Sequence, residues 1–161
     1  MSDHKADNLA LLRAVVLLSE GKRSEALAEL AACNPDPPLD VAAWLMQASL
    51  LGRTEVEKCW ALYSRALKEY PQHPVVNLRA GVFAYERGDM ERAKNLLERS
   101  WLSGPNAEAG VYLGRLHAAR GDYERACTLL AQAACLEREG GHWREAALRE
   151  ILECSSRIGG L

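Results

Sequence analysis

The sequence has no apolar run long enough to cross a bilayer. Its longest, Leu9 to Leu18, contains Arg13 and covers about half of the roughly 20 residues a spanning helix needs. The polar MSDHKADN that precedes it does not read as a signal peptide, so a cytoplasmic protein without membrane insertion is expected. A basic surplus is also missing. Lys and Arg total 20 against 22 Asp and Glu, net charge -2, which excludes nucleic acid as the expected partner. The five cysteines, at 33, 59, 127, 135 and 154, form no C-x-x-C pair. Cys127 and Cys135 sit eight apart on one expected helix, about 12 Å, too far for a bridge, so reduced thiols are expected. His4, His73, His117 and His142 lack metal-ligand spacing, and no metal or cofactor is expected. Nothing pairs a nucleophile with a base, cradles phosphate in glycines or sets two acids at a cleft, which argues against an enzyme.

What is present is hydrophobic residue in quantity. With 161 residues, 48% of them hydrophobic, one domain spanning 1–161 with a real core is expected. The stretch LALLRAVVLLSEG, 9–21, would make a helix apolar nearly all round, where a surface helix carries a single apolar stripe. Such a helix needs cover on two sides.

Internal repetition organises the chain. GKRSEA (21–26), GDMERA (88–93) and GDYERA (121–126) look alike, the first two 67 residues apart and the last two 33. Sixty-seven is a 33 plus a 34, so a further unit is expected at 40–73. The series Ala26, Leu30, Cys33, Pro38 repeats as Cys59, Tyr63, Ala66, Pro71 and as Ala93, Leu97, Ser100, Pro105, and in part as Ala126, Leu130, Ala133. A small residue, a large one four later, a small one three later and then proline describe a helix packed closely and stopped at a turn. The spacing predicts helices at about 7–19, 22–33, 40–51, 55–69, 74–87, 89–102, 107–119, 122–138 and 142–157. Turns fall at Gly21, Gly52, Gly88 and Gly121 within units, and at Asn34-Pro-Asp-Pro-Pro, Pro71-Gln-His-Pro and Ser103-Gly-Pro-Asn between them.

These patterns resemble the tetratricopeptide repeat (TPR) family, whose unit is an antiparallel helix pair with W-x2-L-G-x2-Y in the first helix and A-x3-F-x2-A-x4-P in the second. Ala80-Gly81 and Leu113-Gly114 match the first-helix pair; Arg13-Ala14 and Met46-Gln47 stand there in units one and two. The resemblance implies an all-α solenoid, repeats at about 7–39, 40–73, 74–106 and 107–139, a right-handed superhelix, and a C-terminal capping helix at 142–157.

The resemblance further implies that positions 2, 5, 9 and 12 of each first helix line a concave groove. Asn8, Leu11, Val15 and Leu18 take these places in unit one, and Val41, Trp44, Ala48 and Leu51 in unit two. Val75, Leu78, Val82 and Tyr85 follow in unit three, then Glu108, Val111, Arg115 and Ala118 in unit four. Trp60, Trp101 and Trp143 take core-facing places, while Arg79 and Arg115 could orient a partner's carboxylate. So apolar a groove suits an amphipathic helix or apolar segment of another protein. Burying five or six of its large side chains is worth on the order of 10 kcal/mol gross, against an association cost of about 4 to 15 kcal/mol. The expected function is a protein-binding adaptor or chaperone; secretion-system subunit chaperones and pilus-assembly cochaperones of this family are of this kind. Three other arrangements stay open: a groove filled by its own Trp44 and Tyr85, a homodimer covering both apolar faces, and a constitutive scaffold subunit.

Overall fold

A computed structural model describes residues 3–35, 39–52 and 54–159. Pro37, Pro38, the final Gly160-Leu161 and the side chain of His4 lie outside the described residues. Among the described residues the chain is all-α, with nine helices: α1 (Asp3–Ser19), α2 (Arg23–Ala32), α3 (Leu39–Leu51), α4 (Val56–Glu69), α5 (Pro74–Glu86), α6 (Met90–Ser103), α7 (Ala107–Ala119), α8 (Tyr123–Cys135) and α9 (His142–Ile158). Each expected helix is present. The boundaries differ most at α1, which starts earlier than residue 7, and at α8, which stops at Cys135. No described helix is long and apolar enough to cross a membrane.

The contacts divide the chain into two compact units, Met1–Pro71 and Gln72–Leu161. In the first, α1 pairs with α2 and α3 with α4; in the second, α5 pairs with α6, α7 with α8, and α9 packs on α8. The turn inside three of these pairs follows one recipe. Gly21, Gly88 and Gly121 have φ of 77°, 80° and 81°, a left-handed conformation only glycine adopts cheaply. The residue after each closes a bond back to the preceding helix: Lys22 N–H to Leu17 O, Asp89 N–H to Ala84 O and Asp122 N–H to His117 O.

Pairing is close where the first helix has no side chain. A Cβ on Gly81 would lie 2.8 Å from Leu97 Cγ, and one on Gly114 2.7 Å from Leu130 Cγ. Leu97 and Leu130 are themselves fully buried. The repeat-equivalent position in α1 is Ala14, also fully buried, in a cluster with Leu11, Ala26 and Leu30.

Candidate functional site

In the first unit, α3 sits one residue out of the expected register. Ala43, Trp44, Ala48 and Leu51 are buried, and so are Val76, Asn77, Gly81 and Ala84, each one 33-residue step later. The second-helix spacing, anchored on Cys59 and Ala93, places α3 34 residues before α5 instead. The extra residue lies in the turn: four residues separate α3 from α4, and three separate α5 from α6. Trp44 therefore takes the tryptophan place of the first-helix pattern and Ala48 its small place, both facing other helices. The Trp44 ring lies 6.5 Å from that of Tyr70, and the Arg65 guanidinium 4.4 Å above it. Tyr70 in turn donates to Asp40 at 3.0 Å; burial, then this bond, raises the phenol's pKa.

Of the expected groove residues in this unit, Leu11, Val41, Trp44, Ala48 and Leu51 are buried, so they are packing residues in the folded chain. Leu18 is half-buried against the α1–α2 cluster. Val15 is exposed. The other exposed large apolar residues of α1 are Leu9, Leu12 and Val16, at 49%, 61% and 55%. They lie on a face that the groove register leaves out, and the i, i+3, i+7 spacing of 9, 12 and 16 is the signal that could have found it.

In the second unit, Leu78 and Val111 are buried, Val82, Tyr85, Arg115 and Ala118 half-buried, and Val75 exposed. Tyr85 does not stand free. Its ring meets Tyr112 edge-on at 5.0 Å, and Tyr112 meets Trp143 at 5.6 Å. Trp143, expected in the core, is half-buried: it packs against the cluster of Val111, Leu130 and Ala147 and also lines a recess with Val75, Leu78 and Leu136. Trp60 and Trp101 are half-buried as well, Trp101 lying against Gly110 of α7.

Both arginines of this face are already paired. Arg115 grips Glu150 with Nε at 2.9 Å and Nη2 at 2.6 Å from Oε1, and its guanidinium sits 5.2 Å from the Tyr112 ring. The hydrogen bond to Glu150 raises the arginine's pKa against the opposing effect of burial. Arg79 Nη1 donates to Glu108 at 2.9 Å. Sequence reasoning missed Tyr112, Trp143 and Glu150 as members of this face. Glu150 lies 35 residues from Arg115, and only the packing of α9 beside α7 brings the two together.

Comparison with known proteins bears on the fold. Two tetratricopeptide-repeat family models match, one over residues 61–110 and another over 108–134. No curated protein sequence matches. A thermophilic TPR protein of Thermus thermophilus is 21% identical with a TM-score of 0.67, over 95% of this chain and 84% of that one. A tetratricopeptide repeat protein from Parabacteroides merdae gives a TM-score of 0.75 at 16% identity, over 95% of this chain and 62% of its own. A MamA fragment from Desulfovibrio magneticus gives 0.70 at 18% identity, over 96% and 92%. The chain has the all-helical fold of tetratricopeptide-repeat proteins, and residues 61–134 carry the repeat sequence of that family.

Proposed function

We propose that this protein is a binding module for another protein, an adaptor or chaperone that holds an apolar or amphipathic helical segment. TPR proteins are in general protein-interaction modules rather than enzymes. One observation carries the reading. In the second unit the accessible groove positions Val75, Val82 and Tyr85 are uncharged, while Arg79 and Arg115 are held by Glu108 and Glu150. A segment presenting a free carboxylate would have to break one of those pairs, whereas an apolar segment needs only to displace water. Secretion-system subunit chaperones and pilus-assembly cochaperones perform this task, and we place the protein among such carriers.

The test is capture from native cell extract by the unaltered protein and by Val75→Asp/Val82→Asp, with helicity checked by circular dichroism. A partner lost by the folded variant supports the reading. Identical capture by both forms removes the groove as the site and leaves a scaffold role on another surface.

A further inference from the structure

The face of α1 formed by Leu9, Leu12 and Val16 is not the groove. Moving 100 residues on, from unit one to unit four, carries Leu9, Arg13 and Val16 onto Ala109, Leu113 and Leu116 of α7. All three are buried, in a helix that packs against α6, and Leu113 shares a recess with Trp101 and Leu102 of α6. Inside this chain, then, the same helix face is one that receives another helix. In α1 it is exposed, beside Glu20, Glu25 and Glu29 and with Arg13 among the apolar side chains.

A second helix carries a matching stripe. α9 has 17 residues, as α1 does, and shows Leu148 and Leu152 at 41% and 71% exposure, with Glu145 and Arg149 exposed on the same side. We propose that two copies of this chain associate head to tail, the Leu148–Leu152 stripe of α9 in one copy docking on the Leu9–Leu12–Val16 face of α1 in the next.

Charge selects this pairing over a symmetric one. Two α1 faces brought together would put six glutamates, 20, 25 and 29 of each copy, into one contact with only the two Arg13 side chains to balance them, and like charges across an interface oppose association. The α9 stripe carries one charge of each sign, so it offers Arg149 to the glutamates and Glu145 to Arg13. A heterologous contact of this kind leaves one free face at each end, so association continues beyond the dimer unless it closes into a ring. Leu9, Val16, Leu148 and Leu152 are not groove positions; Leu12 stands one 100-residue step before Tyr112, so it lies at the border between this face and the groove.

Light scattering coupled to gel filtration tests it, on the full chain and on Leu12→Glu and Leu152→Glu, with circular dichroism as the control for folding. The wild type is expected to gain mass with concentration beyond a dimer or to a closed ring. Each variant is expected to associate at least about tenfold more weakly, from the loss of one large buried apolar side chain. Mixing the two variants is the decisive arm: each retains the face the other has lost, so the mixture gives a dimer and stops there. A wild type that stays monomeric overturns the proposal. So does a Leu152→Glu variant that associates like wild type, which points to an α1–α1 contact, or a mixture that forms nothing.

Discussion

The turns that start α2, α6 and α8 share a backbone but differ in the side chain that should close it. Lys22, Asp89 and Asp122 have φ/ψ of -84°/64°, -81°/75° and -83°/68°. In the second unit the aspartates accept from the N–H three residues on, at 3.1 Å from Arg92 and 3.3 Å from Arg125. In the first unit Lys22 offers no acceptor, and α4 likewise begins at Glu55 without a side-chain cap. The two units also differ in their pairing contacts, with Ala14 and Ala48 where the second has Gly81 and Gly114. The second unit thus carries the devices of its repeat at both turn and contact, while the first keeps the geometry with fewer of them. The family models match from residue 61 onward, mainly in the unit where those devices are complete.

The largest expected effect breaks the comparison at the contact. Leu130 is fully buried over Gly114, so Leu130→Ala opens a cavity and should cost about 2–5 kcal/mol in urea unfolding. A matched change on the outer face of α1, Leu12→Ala, should cost under about 0.5 kcal/mol at a dilution where the chain is monomeric. Equal losses at the two sites would mean that the face of α1 is covered in the native state by a copy that unfolding releases.

Next in size is Gly114→Ala. The added Cβ would fall 2.7 Å from Leu130 Cγ, too close without a shift. Overpacking of this kind costs about 1–3 kcal/mol, partly offset by the better helix propensity of alanine. At Ala14, where a Cβ is already accommodated, the reverse change Ala14→Gly should cost about 1 kcal/mol from propensity and lost burial. Thermal unfolding of the two variants tells whether alanine in the first unit reflects a wider helix pair.

The helices and turns were legible because glycine, proline and the small–large–small spacing act locally. The position of α3 was not, because one residue added to the turn after Gly52 shifts everything before it, and a repeat anchored on second helices cannot see that. Exposure was legible only in part. A first helix apolar all round announces two buried sides, and the sequence of α1 resembles that of a covered helix; yet Leu12 and Val16 are exposed while Leu11 and Ala14 are buried. Hydrophobicity records what a face can receive, and only packing shows what it has received. The arginines make the same point in reverse. Arg79 and Arg115 read as free cations from sequence, and their partners Glu108 and Glu150 stand 29 and 35 residues away.

The uncapped turn before α2 is open to repair. Lys22 already holds the backbone conformation that Asp89 and Asp122 use, so Lys22→Asp needs no rearrangement to place a carboxylate oxygen near the N–H of Glu25. What is lost is a salt bridge to Glu20 at 2.8 Å between side chains about half exposed, which is worth at most about 1 kcal/mol and often nothing measurable. What is gained is a capped N-terminus, worth about 0.5–2 kcal/mol, with a negative charge at the positive end of the helix. The net expectation is a gain of up to about 1 kcal/mol in the first unit, read as slower amide exchange in α2 with exchange in α8 unchanged. Asp122→Ala should show the mirror image, faster exchange at the start of α8 with α2 untouched. If Lys22→Asp brings no protection, the shared backbone angles do not suffice to make a cap, and the neighbouring Glu20 carboxylate is the reason: with its lysine removed, it stands as a like charge beside the new aspartate.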